Sequence, residues 1–235
     1  MKTQECETFV FALGGLGEVG KNMYCVMHGD DIVIIDAGVS FPESELMGVD
    51  YVLPDFTFLK ENEDKIRALL ITHGHEDHIG SIPFLLQSIN IPAIYAPRHA
   101  KELIAVKLGD RNIRYDNLYA YTDDTKLKFG EIEVEFILIT HSVPDSHGIC
   151  ITTPDGRIVT TGDFKFDLTP IGPMADLYKM ATLGHEGVDL LISDSTNALN
   201  EGFSTSESKV DSALNEMFDL YPQQRIIIAT FASNI

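Results

Sequence analysis

The chain has 235 residues, 44% of them hydrophobic, which suits one large domain or two small ones with a sizeable core. Its 36 acidic and 17 basic residues give a formal charge of −19. That excludes a nonspecific grip on nucleic acid by the bulk surface, because phosphate binding rests on Lys and Arg, but it leaves room for a nuclease whose divalent metals supply local positive charge. Cys6, Cys25 and Cys150 are scattered and form no C-x-x-C, which fits a reducing cytosol better than a disulfide framework. No signal peptide or membrane span is visible, so the expected location is the cytoplasm.

Thr8 to Leu13 reads as a strand. The stretch Gly14-Gly15-Leu16-Gly17-Glu18-Val19-Gly20-Lys21-Asn22 follows it and contains G-x-G-x-x-G. It also comes near a P-loop, but Asn22 stands where Ser or Thr should hold magnesium. Met23 to Met27 reads as a strand, whereas a dinucleotide site needs a helix there. The glycines therefore suit a hairpin loop, either one that brings backbone close to a neighbouring site or a plain turn. Asp31 to Ile35 is a strongly β run ending in Asp36, which is a turn-former or a site residue. An irregular segment begins at Phe41-Pro42-Glu43 and continues through Pro54-Asp55 and the polar residues Glu61 to Lys65.

Ala68-Leu69-Leu70-Ile71 then suits a buried strand, and Ile79, Ile82, Leu85, Leu86 and Ile89 recur at helical spacing. Between them lies Thr72-His73-Gly74-His75-Glu76-Asp77-His78, an H-x-H-x-D-H pattern on a strand-to-helix turn. His73 and His75 share a face of an extended segment, since side chains two apart point the same way. Asp77 and His78 belong to the turn and the first helical residue, and can aim at a second ion. An Asp before a helix can be a plain N-cap. That does not explain four donors together, because burying them unpaired is costly. The pattern predicts a two-metal site, with His73 and His75 at one ion and Asp77 and His78 at the other.

Pro92 to Tyr95 reads as a short strand and Arg98 to Leu108 as a helix. After this β-α-β-α order the pattern changes to hairpins. Leu127–Phe129, Ile132–Thr140, Gly148–Thr153 and Arg157–Thr161 read as strands with Gly130-Glu131 and Pro154-Asp155-Gly156 as turns. Two facing sheets are expected. His141 ends a buried β run as His73 does, and reads as the third nitrogen ligand of the first metal, with a core histidine as the alternative. His147 sits in a polar loop and reads as solvated. Asp163 follows a strand and a glycine, and its two oxygens could bridge two metals. Lys165 suits an ion pair or a substrate phosphate, or is a plain solvated lysine. His185 falls in an expected surface turn and is left out of the site. Val188 to Ser193 reads as a buried strand closed by Asp194, Ser204-x-x-Glu207 as a capping box, Val210 to Phe218 as an amphipathic helix, and Arg225 to Phe231 as a parallel-type strand.

The set Asp36, His73-x-His75-x-Asp77-His78, His141 and Asp163 resembles the metallo-β-lactamase superfamily. Gly14 to Asn22, Thr72 to Gly80, His141 to Ser146, Thr161 to Asp167, Asp194 to Asn197 and Thr230 to Ile235 narrow the resemblance to the bacterial ribonuclease J family, in the β-CASP branch. The resemblance implies an α/β fold, the metallo-β-lactamase αββα sandwich, incomplete at the C-terminus. Residues 1–195 would be the N-terminal part of the lactamase domain, and 196–235 the start of a truncated β-CASP domain. His73, His75 and His141 would bind one zinc, and Asp77 and His78 the other. Asp163 would bridge, Asp36 would orient ligands from behind, and Asp194 would be the first β-CASP motif. Asp77, His78 and Asp163 would be catalytic, with two Zn2+ as cofactor, or Mn2+ or Mg2+ in their place.

The implied activity is cleavage of single-stranded RNA, by 5′→3′ exonuclease and endonuclease modes, in RNA processing and mRNA decay. The implied partners are RNA, a homo-oligomer or a hetero-oligomer with a paralogue, and an RNA-decay complex, with no membrane. The family's two later histidine motifs are not in this chain, so weak or no activity is expected of it alone. The competing readings are another hydrolase on the same scaffold, such as a β-lactamase or a glyoxalase II-like thioesterase, and a non-catalytic subunit of an RNA-decay complex.

Overall fold

The computed structural model describes residues 7–42 and 47–230. Cys6, Glu43 and residues 231–235, on which some of the sequence readings fall, lie outside them. The first sheet has six strands in the order β1 (Thr8–Gly14), β2 (Met23–His28), β3 (Asp31–Ile35), β4 (Ile66–Leu70), β5 (Ile94–Pro97) and β6 (Leu118–Tyr121). β1, β2 and β3 pair antiparallel, and β3 to β6 run parallel. The second sheet has five strands, ordered β11 (Leu190–Ile192), β10 (Gly156–Thr160), β9 (His147–Thr153), β8 (Ile132–Leu138) and β7 (Lys126–Phe129).

The central strands of the first sheet are apolar on both sides. In β3, Ile32 and Ile34 join the core under the helices, while Val33 and Ile35 join the core between the sheets. Leu69 and its neighbours Ala68 and Leu70 divide in the same way on β4. Such continuous apolar runs are what a sheet covered on both faces requires. Helices α3 (Ile82–Ser88) and α4 (Arg98–Asp110) cover the outer face of the first sheet, and α5 (Leu177–Glu186) packs Leu183 and Met180 on the outer face of the second. The result is an αββα sandwich. Cys25 and Cys150 are buried free thiols, and burial pushes the Cys25 thiol up to about 12.

Several expectations are corrected. The helix expected over 79–89 is two helices, α2 (Glu76–Ile79) and α3, because Pro83 in the first turn of α3 has no N–H to continue one ladder. The irregular segment contains α1 (Thr57–Glu61), whose start is held by Thr57 N–H donating to Asp55. The strand read at 188–193 shortens to β11. It is an edge strand rather than a buried one, with Leu191 60% exposed. His185 sits in the last turn of α5, not in a loop, and is exposed. The capping box does not form. Helix α6 (Ser208–Leu220) starts after Glu207, whose carboxylate is occupied by Lys165 at 2.7 Å. The strand expected from Arg225 is absent over 225–230.

Candidate metal centre

The site lies where four strands end. β3 delivers Asp36, β4 delivers Thr72 and the H-x-H-x-D-H turn, β8 leads to His141, and β10 leads to Asp163. These are all C-terminal strand ends, where open α/β sheets place their ligands. Two donor sets form. His73, His75, His141 and Asp163 make one, and Asp77, His78 and Asp163 the other, with the ligand atoms of each set within 4.8 Å of one another.

In the first set, His73 Nε2 lies 3.0 Å and His141 Nε2 3.1 Å from His75 Nδ1. Nitrogens at about 2.0–2.1 Å from a tetrahedral ion would be about 3.3–3.4 Å apart, so the cluster is close to the edge length of such a cage. Asp163 divides its oxygens. Oδ2 faces His141 Nε2 at 3.7 Å and His73 Nε2 at 4.0 Å, while Oδ1 faces His78 Nε2 at 3.3 Å. His78 Nε2 is 3.7 Å from Asp77 Oδ2.

Behind the donors, Asp36 organises the rings. Asp36 stands at φ 59, a left-handed conformation that Asp tolerates better than most residues. Its Oδ1 accepts from Thr72 N–H at 2.8 Å, and its Oδ2 accepts from Thr72 Oγ1 at 2.9 Å and from His78 Nδ1 at 2.7 Å. Thr72 Oγ1, having given its proton to Asp36, accepts from His73 Nδ1 at 3.0 Å. Both rings therefore turn Nε2 toward the cluster, the nitrogen that a cation would take. This donor chemistry fits a pair of divalent cations.

The electrostatics differ between the sets. Burial lowers His73 well below the usual histidine range, with its histidine neighbours adding to the effect. Burial likewise pulls His141 down to about 4, against the opposing charge of Asp163. For His78 burial acts downward too, but the Asp36 and Asp163 carboxylates outweigh it and raise the ring well above its ordinary value. Asp163 is depressed, the hydrogen bond and charge of His78 overcoming burial. His73 and His141 of the first set are thus neutral, whereas His78 in the second holds a proton.

A cavity of about 480 Å³ opens over Asp77, His78 and Asp163, and the glycine-rich loop and Asp194 also line it. Asp194 accepts from Thr196 N–H at 2.8 Å and lies outside both donor sets. Lys165 is an ion pair with Glu207 rather than an open cation. His147 corrects the sequence reading. It is 4% exposed, its Nδ1 donates to the Asp145 carbonyl at 2.8 Å, and its ring meets Tyr121 edge-on. Asn22, singled out only as a failed P-loop position, reaches Asp77 and His78.

The layers and the site define a class of protein, an αββα sandwich with two histidine–aspartate donor sets at the strand ends. The chain belongs to the metallo-β-lactamase superfamily, whose sequence model matches residues 16–205. Among its relatives, Ribonuclease J 1 of Streptococcus pyogenes serotype M3 is 51% identical over 97% of this chain and 41% of that protein. Ribonuclease J of Mycoplasma pneumoniae is 41% identical over 97% of this chain and 40% of that protein. The chain thus spans about two fifths of the length of these curated relatives. A crystal structure of a protein of unknown function from Enterococcus faecalis V583 superposes with a TM-score of 0.74 at 15% identity, over 97% of this chain and 61% of that one, a likeness of fold alone.

Proposed function

We propose that this chain carries the metal centre of a ribonuclease J-type enzyme, a two-cation hydrolase of single-stranded RNA. The observation that carries the proposal is Asp163, which turns one oxygen to each donor set. His73, His75 and His141 would hold the first cation, Asp77 and His78 the second, with Asp163 shared. Zinc suits three imidazoles with a carboxylate, and manganese or magnesium is the alternative. When bound, such a pair supplies Lewis acidity and a nucleophile at neutral pH. The chain's own residues prepare for this. Asp36 keeps the His78 proton on Nδ1, Thr72 keeps the His73 proton on Nδ1, and the low basicity of His141 leaves its nitrogen free above about pH 4.

The names of the relatives support RNA as substrate over a lactam or a thioester. The finer reading is 5′→3′ exonuclease and endonuclease action in RNA processing and mRNA decay, in the cytoplasm. It includes homo-oligomers or hetero-oligomers with a paralogue and membership of an RNA-decay complex. Residues 1–195 would form the lactamase part and 196–235 the entry to a β-CASP domain whose first motif is Asp194. Alone, this chain would be weakly active or inactive, since Asp77, His78 and Asp163 give the second cation only three donors among the described residues.

The test is metal analysis joined to a substrate panel. Two divalent cations per chain are expected, with a sharp drop in His75→Ala. Extended to the relatives' length, the protein should cleave single-stranded RNA to 5′-phosphate products and leave nitrocefin and S-lactoylglutathione intact. Unchanged stoichiometry in His75→Ala, or turnover of either alternative substrate without RNA cleavage, would overturn the assignment.

A further inference from the structure

Asn22 closes the glycine-rich loop, which lines the cavity over Asp77, His78 and Asp163. The Asn22 backbone N–H donates to the Asp77 carbonyl at 3.1 Å. Its side-chain Nδ2 donates to the same carbonyl at 3.1 Å, and lies 3.4 Å from Asp77 Oδ2 and 3.1 Å from His78 Nε2. The amide oxygen faces the other way and accepts from the Tyr24 hydroxyl at 3.4 Å. The two ends of the amide are thereby told apart, since only the nitrogen can donate.

The glycines clear the space this contact needs. A Cβ on Gly15 would sit 2.8 Å from Asn22 Oδ1, and one on Gly38 would sit 1.6 Å from the Asp77 carbonyl oxygen. Gly38 N–H also donates to the Asn22 carbonyl at 3.0 Å. The loop, the segment after β3 and the start of α2 are thus laced together at Asp77.

Resting on the two-cation reading above, we propose that Asn22 is a positioning residue for the second cation. Its amide fixes the Asp77 main chain and faces the two donor atoms, Asp77 Oδ2 and His78 Nε2, the ring nitrogen that Asp36 does not hold. The glycine-rich loop is shaped to deliver that amide, not to cradle a nucleotide phosphate.

Titrating metal-free protein with Co2+ and following its visible absorption tests this, because three-nitrogen and mixed-oxygen sites give distinct bands. Asn22→Ala should bind the first equivalent as the unaltered chain does, and the second about 10- to 100-fold more weakly, the range typical of lost ligand-orienting partners. The unchanged first equivalent reports that the variant is folded. Asn22→Asp keeps the shape but cannot donate, and sets a carboxylate against the Asp77 carbonyl, so it too should weaken the second equivalent. If Asn22 merely fills space or is itself a ligand, the added charge of Asn22→Asp would leave that affinity unchanged or raise it, and the proposal fails. Equal weakening of both equivalents in both variants overturns it as well. An unaltered chain that takes up one equivalent only overturns the two-cation reading, and this inference with it.

Discussion

At the scale of single residues, the site is governed by which nitrogen of each imidazole keeps its proton. Asp36 accepts from His78 Nδ1 at 2.7 Å, so the ring presents Nε2 to Asp163 and Asp77. Asp36→Asn retains the volume and the tolerance for φ 59, but replaces one acceptor oxygen with a donor. The amide can keep the bond from Thr72 N–H only by turning its NH2 toward Thr72 Oγ1 and His78 Nδ1. The ring must then protonate Nε2, the atom needed for a cation. Affinity for the second cation should fall about 10- to 100-fold, with the first cation changed far less. Isothermal titration of metal-free protein measures this, and equal loss at both sites would show that Asp36 acts only by holding the backbone. The tautomer was not legible in the sequence. Asp36 could be read there as a turn-former or a site residue, and only the folded register brings it against Thr72, 36 positions away.

At the scale of elements, the link from the site to α6 runs through Asp167. Its Oδ2 accepts from Glu207 N–H at 2.9 Å and its Oδ1 from Thr169 N–H at 3.0 Å. The Glu207 N–H is the main reason its carboxyl falls from 3.8 to about 2, with the Thr169 N–H, the Ser206 hydroxyl and Lys165 adding to it. A depressed carboxylate contributes stability that is present above its unfolded value and lost as pH falls through its folded one. The α6 anchor should therefore hold at pH 5 and loosen between about pH 4 and pH 2. The Glu207 amide resonance should titrate with a midpoint near 2, and Asp167→Asn should abolish that titration. A midpoint near 3.8 would mean the bonds are not made in solution. Helix α6 depends on this tie because none of its residues is buried. Its periodic Val210, Leu214, Met217 and Phe218 read correctly as a helix, since spacing is local. Ser204-x-x-Glu207 misled because Lys165, distant in sequence, captured the glutamate. β6 escaped notice for a related reason. Leu118–Tyr121 is a short strand defined by its pairing with β5 more than by its own pattern.

At the scale of the whole molecule, the two facing sheets were legible because a β-α-β-α order gives way to hairpin-linked strands, and the apolar runs end at His73 and His141. His147 was not, because its burial requires Tyr121, and Tyr121 lies on β6, the strand that pattern alone did not reveal. The same architecture makes stability a readout of the centre. Donors from four strand ends converge only in the folded chain, so a cation that binds them binds the native state alone. A cation at about 100 times its dissociation constant then contributes about 2.7 kcal/mol. For a chain of this size that is a rise in Tm of about 5–10 °C. His73 and His141, both lowered by burial, hold no proton that the first cation must displace between pH 6 and pH 8. His78 behaves oppositely. Raised by Asp36 and Asp163 over the pull of burial, it must give up a proton for the second cation to bind, and that increment should shrink as pH falls. Without cations the sign reverses. The raised His78 contributes stability fully present below pH 6.5 and lost as pH rises through its higher folded value, so the metal-free Tm should decline in alkali. Thermal melts with chelator, one equivalent and excess cation, at pH 6 and pH 8, separate these contributions. A second increment that does not change with pH would mean that His78 holds no proton in the metal-free fold, and that the two donor sets do not differ in charge as their surroundings require.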